Sequence, residues 1–190
     1  MTTSTTKMRN QLLNDCERSA RYHHARAGFY DAAHLRIQFF VFVVTAASAS
    51  ILFGRILSET LVGMLLLFAV SLLALFSVLW NPSGKAGHHK SLHRGFITLA
   101  GIINAAENPS KAQCEEWTRA VHALFAEEPP IYRALNAHCY NQLSIKLDVV
   151  KDGYFVDLKW YHHLLRNLVH FQGGDFPIRR QSMGKRSAAA

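Results

Sequence analysis

The sequence predicts an all-α integral membrane protein: a two-helix transmembrane hairpin joined to a cytoplasmic helical domain. Three observations predict it. Residues 37–53 and 61–80 are apolar and carry no charge, and only the stretch "GRILSET" separates them. Lysine and arginine gather outside those runs, and the polar flanks repeat apolar residues at helical spacing. The 190 residues have a mean hydropathy of only +0.03, an average that hides this segregation. The net charge of +8 and the isoelectric point near 9.7 favour anionic partners, above all phospholipid head groups. No basic run is long enough for a nucleic-acid tail, so no stable nucleic-acid partner is expected.

Residues 1–36 read as a basic cytoplasmic N-terminal helix that continues into the first span. From Arg9 to Arg36 there is no proline, and Leu12, Leu13, Cys16, Ala20, His23, Ala27 and Tyr30 fall on one stripe. A half-apolar stripe outside a membrane needs a protein partner, which the C-terminal half or a second subunit would supply. Ile37 to Phe53, about seventeen residues, is a short span, and Leu61 to Trp80, about twenty, is a comfortable one. Trp80 suits the interface, and Asn81-Pro82 ends the helix. Arg18, Arg21, Arg26, Arg36, Lys85, Lys90 and Arg94 flank the hairpin on one side, against Arg55 and Glu59 in the linker. The bias places both termini in the cytoplasm. The first apolar run starts too late for a signal peptide, so "TAASAS" at 45–50 is not expected to be cleaved.

Neither span contains Asp, Glu, Lys, Arg or His, which argues against a transporter with a charged path. Thr45, Ser48 and Ala49 on the first span, and Ser71, Ala74 and Ser77 on the second, form small-residue patches for close helix packing, within one hairpin or between subunits. Residues 81–171 read as the cytoplasmic helical domain. One helix covers His88 to Ala106, and a second, capped by Ser110, covers about Lys111 to Ala126. "EEPP" opens a third from Ile131 to about Val150, and Tyr154 to Phe171 gives a fourth. Residues 172–190 read as a flexible basic tail. Cys16, Cys114 and Cys139 are widely spaced and odd in number, as for reduced cytosolic thiols.

Candidate chemistry is sparse. His89 and His93 stand at i and i+4, a spacing that can hold a metal, but no third ligand is near in sequence. Arg-x4-His is a signature of one helical ribonuclease superfamily, and "RALNAH", Arg133 to His138, resembles it, as does "RSARYH", Arg18 to His23. His138 and Cys139 are helix neighbours and point apart, so they form no nucleophile–base pair. No enzyme active site and no cofactor are expected. Arg26, Arg36 and Trp80 are assigned to the membrane interface. Arg18, Arg21, His23 and His24 lie deeper in the cytoplasm, where a ligand or neighbouring subunit is expected.

The helix "CERSARYHHARAGFYDAAHLR", the short hairpin and the helix after it resemble the SLATT group over about residues 12–125. Those are bacterial two-transmembrane effector domains found beside nucleotide-second-messenger synthases and nucleotide-sensing modules. "EEPPIYRALNAHCYNQL" is similar to a segment of prophage and mobile-element membrane proteins. The resemblance implies a homo-oligomeric, pore-forming or membrane-disrupting effector of anti-phage defence in the bacterial inner membrane. Its expected partners are the bilayer, further copies of itself, and a nucleotide signal or a sensor protein. Two other readings compete: a membrane-anchored adaptor or superinfection-exclusion protein without conductance, and a membrane-tethered helical RNase using Arg133 and His138.

Overall fold

The computed structural model describes residues 2–53, 60–146, 154–171, 176 and 178–180. The described chain is helical apart from one small ribbon. Its order is α1 (Thr2–Phe53), α2 (Thr60–Trp80), α3 (Pro82–Ala105), α4 (Lys111–Ala126), α5 (Arg133–Lys146), β1 (Tyr154–Val156), α6 (Trp160–Leu165) and β2 (Ile178–Arg180). Two compact units result, Arg26–His89 and the remainder, Met1–Ala25 with Lys90–Ala190.

In the larger unit the expected stripe of α1 is the core. Leu12, Cys16 and Ala20 pack with Leu92, Phe96, Leu99, Ala100 and Ile103 of α3 and Cys114, Trp117 and Val121 of α4. Burying so many apolar side chains, at roughly 1.5–3 kcal/mol for each large one, holds the three helices together. Gly95 leaves room for Leu124 of α4, because a Cβ there would come within 2.8 Å of Leu124 Cδ2. The termini are closed chemically. Arg9 donates from Nε to the Ile103 carbonyl at 3.0 Å and from Nη2 to that of Asn104 at 2.9 Å. A cation thereby meets two of the carbonyls that the end of α3 leaves unpaired. Ser110 caps α4 as expected: its Oγ accepts from the Gln113 amide, and Gln113 Oε1 accepts from the Ser110 amide.

A smaller cluster joins α5 to α1 through Tyr22, Leu135 and Cys139, and the Tyr132 amide donates to the Tyr22 hydroxyl at 3.0 Å. The helix expected from Ile131 starts two residues later, and its described part ends at Lys146. The helix expected over Tyr154 to Phe171 is corrected. Tyr154–Val156 is a strand paired antiparallel with Ile178–Arg180, and only Trp160–Leu165 is helical. Aromatic and β-branched residues at 154–156 suit a pleated strand. The side chain of Asn141 fixes that strand by bonding both the amide and the carbonyl of Val156. Residues 178–180, expected in the flexible tail, form the partner strand, while residues 181–190 lie outside the described residues.

The smaller unit has the opposite polarity. Leu35, Phe39, Phe40 and Phe42 on α1 point outward, as do Leu65, Phe68, Leu72, Leu75, Val78 and Leu79 on α2. The stretch Leu65–Ala105 contains a window of mean hydropathy 2.0 that is 6% buried, so one described helical stretch is long and apolar enough to cross a membrane. Thr45 and Ser71 satisfy their hydroxyls on their own helices, bonding the carbonyls of Val41 and Leu67. Residues 54–59 of the proposed hairpin linker lie outside the described residues.

α2 ends at Asn81, whose φ of 46° lies in the left-handed region that asparagine tolerates. Its amide donates to Ser77, its carbonyl accepts from Lys85, and its Oδ1 accepts from the Gly84 amide. Pro82 then begins α3, where its missing N–H costs nothing.

Candidate functional site

α1 and α3, with Gln142 of α5 at the edge, border an open cavity of about 580 Å³ in the larger unit. Leu13, Ala20, Ala25, Ile97, Ala100 and Gly101 supply its apolar wall, and Glu17, Arg21, His24, His93, Asn104 and Gln142 its polar one. Helical spacing explains the α1 side: residues 13, 17, 20, 21 and 24 step along one face, beside the core stripe. Two of the four residues assigned to ligand or subunit contact, Arg21 and His24, therefore line a cavity. Asn104, Gln142 and Gly101 had no sequence signal, because separate helices bring them together.

Electrostatically the wall is mixed. Arg21 makes no hydrogen bond or ion pair among the described residues, although it is half-buried. His93 Nδ1 lies 2.9 Å from the Ala20 carbonyl, which only accepts, so Nδ1 carries the proton and Nε2 remains available. The His24 ring sits 5.2 Å from that of His93, tilted by 46°.

The other two residues of that group have internal roles. Arg18 pairs with Asp15 at 3.2 Å. His23 is completely buried, bonds Glu128 at 2.9 Å, and stacks on Phe96 with the planes 7° from parallel. His23 is thus corrected from a contact residue to a core residue. Glu128, of the "EEPP" stretch, is its partner.

The interface assignments divide similarly. Arg36 is exposed. Arg26 is 1% exposed: it donates to the Tyr30 hydroxyl, and its guanidinium lies 4.6 Å from that ring's centre. Trp80 is half-buried against Phe76 and Tyr30, with Lys85 over its ring.

The candidate metal pair is engaged elsewhere. His89 is buried and stacked on Tyr30 in the smaller unit, and His93 bonds Ala20 in the larger. The described residues contain no group of three or more His, Cys, Asp or Glu arranged to hold a metal ion.

Arg133 is the first residue of α5 and is exposed, whereas His138 is half-buried. Five residues of helix turn the two side chains about 140° apart, so they do not share a face. Gln142 Nε2 approaches His138 Nε2 at 3.1 Å, and the His163 ring lies 5.5 Å away. An amide nitrogen donates only, so Nε2 of His138 accepts. Burial, and then Arg166 and His163, hold the His138 imidazole below its ordinary titration range. All three cysteines are free and buried. Burial, with a smaller contribution from Asp15, pushes the Cys16 thiol up to about 12. Burial pushes that of Cys139 to about 11 against the opposing charges of Arg166 and Arg21.

Comparison with protein-family models, curated proteins and solved structures finds no match to this chain.

Proposed function

We propose that the chain is a membrane-anchored, homo-oligomeric effector of the SLATT-like kind, with residues 37–53 and 61–80 inserted as a hairpin in a bacterial inner membrane and both termini cytoplasmic. The observation that carries this reading is the outward apolar surface of α1 and α2, from Leu35 to Val43 and from Leu65 to Leu79. In water such a surface would aggregate, whereas in lipid it is the expected one. The basic residues confined to the flanks support the orientation. Two uncharged spans cannot enclose water alone, so permeation requires several copies. The cytoplasmic helices would couple a signal to assembly or to opening, in defence against phage.

The test is the full chain purified in detergent and reconstituted into dye-loaded liposomes. Carbonate-resistant insertion, a linker reachable only from outside, a discrete oligomer and dye release are expected. Insertion and assembly without release would replace the pore with the adaptor or exclusion reading. A monomer would overturn the effector reading. RNA cleavage lost in Arg133→Ala with insertion intact would favour the RNase.

A further inference from the structure

We infer that the cavity between α1, α3 and α5 is a binding site for a small organic carboxylate with a ring-sized apolar body. Its volume of about 580 Å³ falls within the usual range for small-molecule sites, about 300–1,000 Å³. Arg21 supplies the anion-recognising group. It lines the cavity half-buried and makes no hydrogen bond or ion-pair contact among the described residues, and its fork of N–H donors matches a carboxylate's two oxygens. The imidazoles of His24 and His93 also line the cavity, in contact with each other at 5.2 Å between ring centres. Nε2 of His93 is available for a ligand's polar edge, because Nδ1 is committed to Ala20. Ile97, Ala100 and Gly101 of α3 add apolar lining, and Asn104 and Gln142 add amides.

The same wall limits the ligand's charge. Glu17 lines the cavity one turn from Arg21, so a polyanion would meet a carboxylate as well as a guanidinium. A compact monoanion meets less of that repulsion than a polyanion does. Gly101 leaves the apolar lining open, since a Cβ built there meets nothing within 4 Å. The site concerns the larger unit alone and holds whether or not the chain conducts.

The experiment titrates benzoate into the full chain in lipid nanodiscs, read by calorimetry and ligand-observed magnetisation transfer. Acetate serves as the charge without the ring, and benzyl alcohol as the ring without the charge. Saturable benzoate binding is expected, with both comparators at least about tenfold weaker. Arg21→Gln should weaken benzoate by about tenfold or more. Gly101→Leu should abolish binding by filling the cavity, and its higher helix propensity should keep the melting temperature at or above that of the parent. If Arg21→Gln fails to fold, Gly101→Leu decides the matter. The inference is overturned if benzoate does not saturate at millimolar concentration, if acetate or benzyl alcohol binds as tightly, or if Gly101→Leu binds like the parent. Membrane insertion and leakage enter none of these readouts, so failure here leaves the proposed function standing, and the converse holds too.

Discussion

His23 Nε2 and Glu128 Oε1 meet at 2.9 Å across 105 positions of sequence, with the two side chains 0% and 6% exposed. This contact ties α1 to the segment after α4. His23→Ala should destabilise the larger unit by about 1–3 kcal/mol, because it leaves an enclosed carboxylate without its partner. Glu128→Gln keeps an acceptor in place and should cost less. Denaturant melts of the full chain in detergent would measure both, and an unchanged midpoint for His23→Ala would show that the contact does not support the fold.

Phe96 and Ile102 test the core against the surface of one helix. Phe96 is fully buried and stacked on His23, whereas Ile102 is 53% exposed. Phe96→Ala should cost about 3–5 kcal/mol. Ile102→Ala should stay within about 0.5 kcal/mol. Comparable melting temperatures for the two variants would contradict the described packing of α3.

Acidification should weaken the larger unit through His138. Its folded-state value is lowered, so the unfolded chain takes up a proton first. The resulting stability is fully present above the ordinary value of 6.5 and is lost as pH falls through the lower folded one. His138→Gln should therefore flatten the acid limb of a melting-temperature profile. Parallel profiles for variant and parent would refute this assignment.

The thiols should be silent in the folded protein. Burial pushes the Cys16 thiol up to about 12 and the Cys139 thiol up to about 11, and Cys114 is buried as well. The thiolate is the reactive form, so maleimide at mildly alkaline pH should leave all three unmodified until denaturant is added. Mass spectrometry before and after unfolding gives the count, and rapid labelling of the native chain would show that a thiol is accessible.

Much of the helical skeleton was legible because its signals are local. The α1 stripe from Leu12 to Tyr30, the cap at Ser110 and the break at Asn81-Pro82 each occupy a few consecutive residues. The strand at Tyr154–Val156 was hidden, because its partner at Ile178–Arg180 and its clamp, Asn141, are remote in sequence. Apolar residues at helical spacing over 154–171 imitated one continuous helix, yet α6 ends at Leu165 and Leu168 beyond it is exposed. The site was half legible. Arg21 and His24 stood out by charge, but nothing in a linear reading separates them from His23 beside them, which faces inward. That distinction needs Phe96 and Glu128, which arrive from elsewhere in the chain.

Asn81 fixes the end of α2 through its own amide, carbonyl and side chain, all bonded to residues within four positions of it. The boundary is therefore set by the chain and not by the solvent around it. Under the proposed insertion of this helix, bilayers of different thickness would meet an apolar segment that stops at Trp80 in each of them, because the terminator there does not depend on depth. A mismatch in hydrophobic length would then be met by tilt or by the end remote from Trp80, and not by moving this boundary.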